Sequence, residues 1–221
     1  MVNLKTFTDD IKIISFDLDG TLVKSTYANA VWLEGVPKVY AKEKNLPLED
    51  VKEFVFQEYL KIGENKKEWY DIDWWFKHFK LNSSWQELLN KYRFAVELYP
   101  DTIETIKNLS KKFDLIIISN AKREFIEIQI EETRIKNFFS HTFSSLSDFN
   151  IVKKMPKVYK QVCDKLKIKT NEIIHVGDNT EFDLKSPRKI GIKSYQIDRE
   201  KIKEGSNIIY SLFELEKMFN I

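Results

Sequence analysis

Apolar residues along the chain change their spacing twice. A short β-branched run near the start, Ile11, Ile13, Ile14 and Phe16, has the length and composition of a buried strand over 11–17, after a short lead-in over 1–10. From Tyr27 to about Leu98 the apolar positions recur at helical spacing instead. They group as Val31, Trp32, Val39 and Tyr40; Val51, Phe54, Val55, Tyr59 and Ile62; Ile72, Trp75, Phe76 and Phe79; and Leu88, Leu89 and Tyr92. Pro37, Pro47, Gly63 and Asn82-Ser83-Ser84 punctuate these groups, and no alternating pattern interrupts them. All five tryptophans fall in this stretch, between Trp32 and Trp85.

Beyond Tyr99 the two signals alternate. Asp101, with Glu104 three residues on, has the spacing of a capping box at a helix start. Strands are predicted over 115–119, 138–143, 172–176 and 192–197. Helices are predicted over 122–133, 156–166, 181–190 and 212–219, with Pro156 in a first turn and Gly191 as a stop. Strand–helix alternation with apolar strands implies a parallel sheet covered on both faces. The expected fold class is therefore α/β: a Rossmann-like parallel core over 1–21 and 97–221, interrupted after its first strand by an all-helical insert over 22–96.

Composition narrows the function classes. Of 221 residues 43% are hydrophobic and 32% charged, a water-soluble profile, and 36 basic against 34 acidic residues leave a net charge of +2. That balance argues against a nucleic-acid partner. No apolar run approaches a membrane span and no signal-peptide profile is present, so no membrane partner and a cytoplasmic location are expected. The single cysteine, Cys163, excludes an internal disulfide and reads as a packed thiol.

The chemistry gathers at three strand ends. The first strand runs into Asp17 and Asp19, two carboxylates one residue apart, then Gly20 and Thr21. Their spacing starts both on one side of the strand, where two like charges repel unless a cation or a proton intervenes. The second end carries Ser119-Asn120, and the third Gly177-Asp178 with Asp183 five residues beyond. In a parallel sheet such ends share one edge. A hydroxyl beside backbone N–H groups suits a phosphate oxygen, and clustered carboxylates suit Mg²⁺. Each residue also has a plainer reading. Ser119 could cap a helix, Asp183 could hold a neighbouring loop, and His175, in mid-strand, reads as a satisfied core residue.

Asp17-Leu18-Asp19-Gly20-Thr21 resembles the first motif of the haloacid dehalogenase (HAD) superfamily, most of whose members are phosphatases. Ser119 resembles the second-motif Ser/Thr, and Gly177-Asp178 with Asp183 resembles the fourth motif, G-D-x-x-x-x-D. The third motif is a lysine, usually in K-P-D-P-x-I-F. Here Pro156, Val158 and Tyr159 match its end, which places Lys153 on the family lysine, with Lys154 the alternative because the first Pro is lost. The insert stands where the family carries a helical cap.

The resemblance implies a Mg²⁺-dependent phosphatase acting on a small-molecule phosphate ester. Asp17 would be the nucleophile, forming an aspartyl-phosphate, and Asp19 the general acid and base. Thr21, Ser119, Asn120 and Lys153 would hold the phosphate. The metal ligands would be the carboxylates of Asp17 and Asp178 and the backbone carbonyl of Asp19, with Gly20, Gly177 and Asp183 in support. A phosphosugar mutase of the same fold and a catalytically idle binding or regulatory protein are the alternatives. A dehalogenase and a phosphonatase are disfavoured, the first because that branch dispenses with the Asp19-type acid, the second because its motif carries Ala there. Within the insert, Trp74 lies off the stripe of Ile72, Trp75, Phe76 and Phe79. With Tyr70 and His78 it would form a second aromatic face that packs internally, meets the catalytic edge, or meets a second subunit in a homodimer.

Overall fold

The structure, a computed structural model, describes residues 10–152 and 155–221. Most of the expected lead-in over 1–10, and both candidate lysines, Lys153 and Lys154, lie outside the described residues.

Six strands form one sheet in the order β3-β2-β1-β4-β5-β6: β1 Ile13–Phe16, β2 Asp114–Ser119, β3 His141–Ser144, β4 Ile173–Gly177, β5 Lys193–Ile197 and β6 Ile208–Ile209. Every pair is parallel, and β1 sits centrally, with Ile13 opposite Asp114 of β2 on one side and Ile173 of β4 on the other. The β1 run is fully buried because both faces are covered. Ile14 and Phe16 pack with Ile106 and Leu109 of α6 (Thr102–Leu109), Ile126 and Ile130 of α7 (Arg123–Glu132) and Leu215 of α11 (Phe213–Met218). Ile13, on the opposite face, packs with Val158, Tyr159 and Val162 of α9 (Lys157–Leu166). Cys163 is buried in that second layer, and burial pushes its thiol up to about 11.

Between β1 and β2 the chain is helical, as its periodicity predicts: α1 Thr26–Asn29, α2 Val36–Lys44, α3 Leu48–Ile62, α4 Ile72–His78 and α5 Trp85–Lys91. A wide π-helical stretch, Ala30–Gly35, joins α1 to α2. Tyr27, Val31, Val55, Ile72, Trp75 and Leu89 form a core of their own, into which Phe125 and Ile128 of α7 also insert. The outgoing and returning chains run side by side: Lys24 N–H donates to Glu97 O at 2.8 Å, Val23 bridges Leu98 antiparallel, and Tyr99 N–H donates to Leu22 O at 3.1 Å.

Several local expectations change. Asp101 precedes α6 but makes no capping bond. Its carboxylate instead accepts from Arg199 Nη1 at 2.6 Å, Ser211 Oγ at 2.9 Å and Leu212 N–H at 2.8 Å, because a buried carboxylate needs stronger donors than one helix N–H supplies. The predicted 181–190 helix is a π-helical turn, Thr180–Lys185, followed by the short α10, Ser186–Arg188. The third strand begins at His141, since Lys136–Phe138 form a 3₁₀ turn. The short helix α8, Ser145–Phe149, and strand β6 carry too few residues to show a period. Tyr70 belongs to a 3₁₀ turn, Lys67–Tyr70, and the backbone turns at Asp71 before α4, so Tyr70 and Trp74 do not share a helix face. Trp74 stacks on His78, with centroids 4.8 Å apart and planes 12° apart, and meets Trp75 edge-on.

Two outcomes follow. Burial raises the Asp101 carboxyl, but the Arg199 guanidinium and the Leu212 N–H outweigh it and hold it below the usual carboxylate range. A depressed folded-state value stabilises above the unfolded value and loses that stability as pH falls through the folded one. Asp101→Ala is expected to cost about 3 kcal/mol in urea denaturation at pH 7, and the gap to wild type should narrow below about pH 4. Trp74→Ala removes two ring contacts and should cost about 2 kcal/mol by the same measurement. An unchanged midpoint would show that the stack contributes nothing.

Candidate active site

β1 delivers Asp17 to the sheet edge, where its N–H donates to Val176 O of β4 at 2.8 Å and its side chain is buried. The chain then wraps round the Leu18 carbonyl, which accepts from Leu22 N–H at 2.9 Å and Val23 N–H at 3.0 Å. Leu18, Leu22 and Val23 are fully buried and anchor this loop in the sheet core. Gly20 takes φ +76°, and a Cβ there would collide with the Asp178 carboxylate. Glycine is thus required twice over, for its backbone angle and for the approach of the β1 loop to the β4 loop. Asp19 is half-buried, and Gln129 Nε2 of α7 reaches its Oδ2 at 3.4 Å.

At the end of β2, Ser119 is buried and its Oγ accepts from Ala121 N–H at 3.1 Å. It does not cap α7, whose flanking residue is Lys122. Instead it shapes the loop from within two residues. Asn120 is buried beside it, its Oδ1 accepting from Ser145 Oγ of α8 at 2.7 Å. At the end of β4, Gln196 Nε2 of β5 donates to the Asp178 carbonyl at 2.7 Å, and Asn179 Oδ1 caps the following turn through Glu181 and Phe182 N–H.

Asp183 is fully buried. Its Oδ2 accepts from Asn179 N–H at 3.0 Å, and its Oδ1 lies 3.0 Å from His175 Nε2 and 3.4 Å from the Tyr159 hydroxyl. It therefore holds the loop that carries Asp178, and a Cβ on Gly177 would strike its carboxylate. His175 is equally buried, with Nδ1 2.8 Å from Ser15 Oγ, the satisfied core residue its position suggested.

The three strand ends face one cavity of about 400 Å³, lined by Asp17, Asp19, Ser119, Asn120, Asp178 and Asp183. Carboxylate oxygens of Asp17, Asp178 and Asp183 lie within 4.8 Å of one another, an all-oxygen donor set that fits a hard cation such as Mg²⁺. Thr21 does not line the cavity. It is fully buried, and its carbonyl accepts from Arg199 Nη2 at 2.5 Å. Trp74 does not line it either.

The cavity is also lined by rings: Trp32, Phe56, Tyr59, Trp69 and Tyr70 from the helical segment and Phe125 from α7. Of these, only Tyr70 belongs to the aromatic face that the sequence offers to the catalytic edge. The abundance of rings in 22–96 was visible, but which of them turn toward the strand ends depends on how the segment folds back. Tyr70 donates to Glu64 O at 3.1 Å and also meets Asn120; burial, then the negative Glu64 and Asp17, push its hydroxyl far above the ordinary tyrosine range. Lys122, next to the β2 loop, pairs with Asp71 at 2.8 Å and ties that loop to the start of α4.

Comparison with known proteins agrees with this arrangement. The family model for haloacid dehalogenase-like hydrolases matches residues 14–197. The (S)-2-haloacid dehalogenase 4A of Burkholderia cepacia is 28% identical over 114 residues, 51% of this chain but only 48% of that protein. The glyceraldehyde 3-phosphate phosphatase of Pyrococcus furiosus is 28% identical over 206 residues, covering 83% of this chain and 79% of that one. A HAD phosphatase from Thermococcus onnurineus superposes with a TM-score of 0.84 at 25% identity, over 95% of this chain and 98% of that one. On its strand order, the acidic edge of its sheet and the span of the family match, this chain belongs to the haloacid dehalogenase-like hydrolases.

Proposed function

We propose that this hydrolase is a Mg²⁺-dependent phosphatase that cleaves a small phosphate ester through an aspartyl-phosphate on Asp17. The observation that carries the reading is the meeting of Asp17, Asp19 and Asp178 with Ser119 and Asn120 in one cavity at the carboxyl ends of β1, β2 and β4. Asp17 and Asp178 carboxylates with the Asp19 carbonyl would hold the metal, which would neutralise phosphate charge and orient the ester. An Asp17 oxygen attacks phosphorus and the P–O bond to the alcohol breaks. Asp19 gives its proton to the leaving oxygen, then takes one from the water that cleaves the acyl phosphate. Ser119, Asn120 and Lys153 stabilise the phosphoryl oxygens.

In this reading residues 22–96 act as a cap on a core of 1–21 and 97–221, and close the cavity against water. The paired chains at 22–24 and 97–99 support it, since all backbone traffic between the two parts passes through them. The side chain of Asp19, present where a dehalogenase would dispense with it, favours ester hydrolysis over dehalogenation. Among the described residues no helix is long and apolar enough to cross a membrane, which is compatible with a cytoplasmic enzyme.

Asp17→Asn should abolish phosphate release from p-nitrophenyl phosphate, because an amide cannot form the acyl phosphate. Asp19→Asn should bind Mg²⁺ as wild type does in calorimetry, yet lose most turnover on an alkyl phosphate. Near-wild-type turnover in Asp19→Asn would remove it as the acid, and chelation by EDTA should stop wild-type turnover reversibly. Lys153→Ala should cost roughly 10²–10³ in kcat, the scale of losing one preorganised stabiliser. Lys154→Ala should cost little, and the reverse order would move the third motif by one residue.

A further inference from the structure

The phosphate chemistry uses the acidic and polar lining of the cavity and leaves its aromatic lining unexplained. Trp32, Phe56, Tyr59, Trp69, Tyr70 and Phe125 all line it. Trp32 and Phe125 lie parallel, 5.6 Å apart with planes 5° apart, and Tyr59 closes on both Trp32 and Trp69 edge-on. Leu33 and Phe56 also line the cavity yet remain 42% exposed, an apolar rim at its mouth.

Charge sharpens the picture. Among the described residues lining the cavity there is no Lys, Arg or His, and every charged one is acidic: Asp17, Asp19, Glu64, Asp178 and Asp183. Lys122, adjacent in sequence to the lining residue Ala121, is committed to Asp71 and lies over the Trp85 ring. A leaving group with its own carboxylate or second phosphate would be desolvated against aromatic carbon and Glu64, with no cation beside those rings among the described lining residues. An uncharged flat ring would meet aromatic faces and edges at little desolvation cost. The volume, about 400 Å³, also falls in the range of sites that enclose whole small molecules, well beyond a phosphoryl group on a two-carbon stem.

We infer, building on the phosphatase reading above, that the substrate is a phosphate monoester whose leaving group carries an uncharged aromatic ring system, and that esters with a second anionic group are rejected. Benzyl phosphate, ethyl phosphate and 2-phosphoglycolate share a primary alkyl leaving oxygen, so their kcat/KM values with Mg²⁺ isolate the effect of the aromatic lining. Benzyl phosphate should exceed ethyl phosphate by roughly tenfold or more, the scale of one well-formed aromatic contact plus burial, and 2-phosphoglycolate should fall below both. Phe56→Ala, at the exposed rim where folding is least at risk, and Trp69→Ala should each narrow the benzyl-to-ethyl ratio to within about threefold.

A benzyl-to-ethyl ratio near one, or 2-phosphoglycolate as the best ester, would overturn the inference while leaving the phosphatase reading intact. Calorimetry with non-hydrolysable benzylphosphonate, methylphosphonate and phosphonoacetate separates the two claims in the other direction. If no ester releases phosphate but benzylphosphonate binds at least tenfold tighter than the other two, the phosphatase reading fails and the ring preference stands. Equal binding of the three sinks the preference.

Discussion

Repulsion among carboxylates at one sheet edge is the constraint the rest of the structure answers. Oxygens of Asp17, Asp178 and Asp183 lie within 4.8 Å, and at an effective dielectric of about 20 each ionised pair costs on the order of 3 kcal/mol. That is a large share of the stability of a typical domain. The fold meets the cost in two ways. Asp183 is surrounded by His175, the Asn179 N–H and the Tyr159 hydroxyl, a buried polar set on the α9 side of the sheet. Asp17 and Asp178 are brought to a shared cavity, where a divalent cation would offset their charge. Gly20 and Gly177 permit the approach, since a side chain at either would occupy carboxylate space.

Holding such a cluster requires a rigid base. β1 is flanked on both sides by parallel strands and covered on both faces, so the backbone of Asp17 is fixed by the β4 register. The loop beyond it is fastened from below by Leu18, Leu22 and Val23 and from behind by Arg199. That guanidinium lies 4.0 Å from the centre of the Tyr99 ring while bonding the Thr21 carbonyl and Asp101. One arginine from beyond β5 therefore ties together the loop that follows Asp17, the returning chain and the start of α6. The two paired segments that carry the helical part pass beside this junction, so the connection between the two parts is anchored next to the loop that follows Asp17.

The helical segment supplies what the sheet cannot. Its core is continuous with Phe125 and Ile128 of α7, so it is seated on the helix that follows the Ser119 loop. Lys122–Asp71 and the Tyr70–Asn120 contact add polar ties at the same margin. The result is one cavity lined both by the carboxylates of Asp17, Asp19 and Asp178 and by rings of the helical segment.

Much of this was legible in the residues taken in order. Strand ends bearing Asp17, Ser119 and Asp178 follow directly from apolar runs that stop at polar residues, because both the period and the stop are local properties. The parallel sheet and the helical insert follow for the same reason. Asp101 shows the limit: its spacing to Glu104 fits a local cap, yet its partners are some hundred residues away, and long-range charge pairing overrode the local option. Thr21 shows it again, close to Asp17 and Asp19 in sequence but turned beneath them by the loop round Leu18. The rings of 22–96 could be counted from the sequence but not assigned. Trp74 packs within the helices while Trp32, Trp69 and Tyr70 face the cavity. Helical spacing decides which residues share a face; only the packing of α1 to α5 against α7 decides what that face meets.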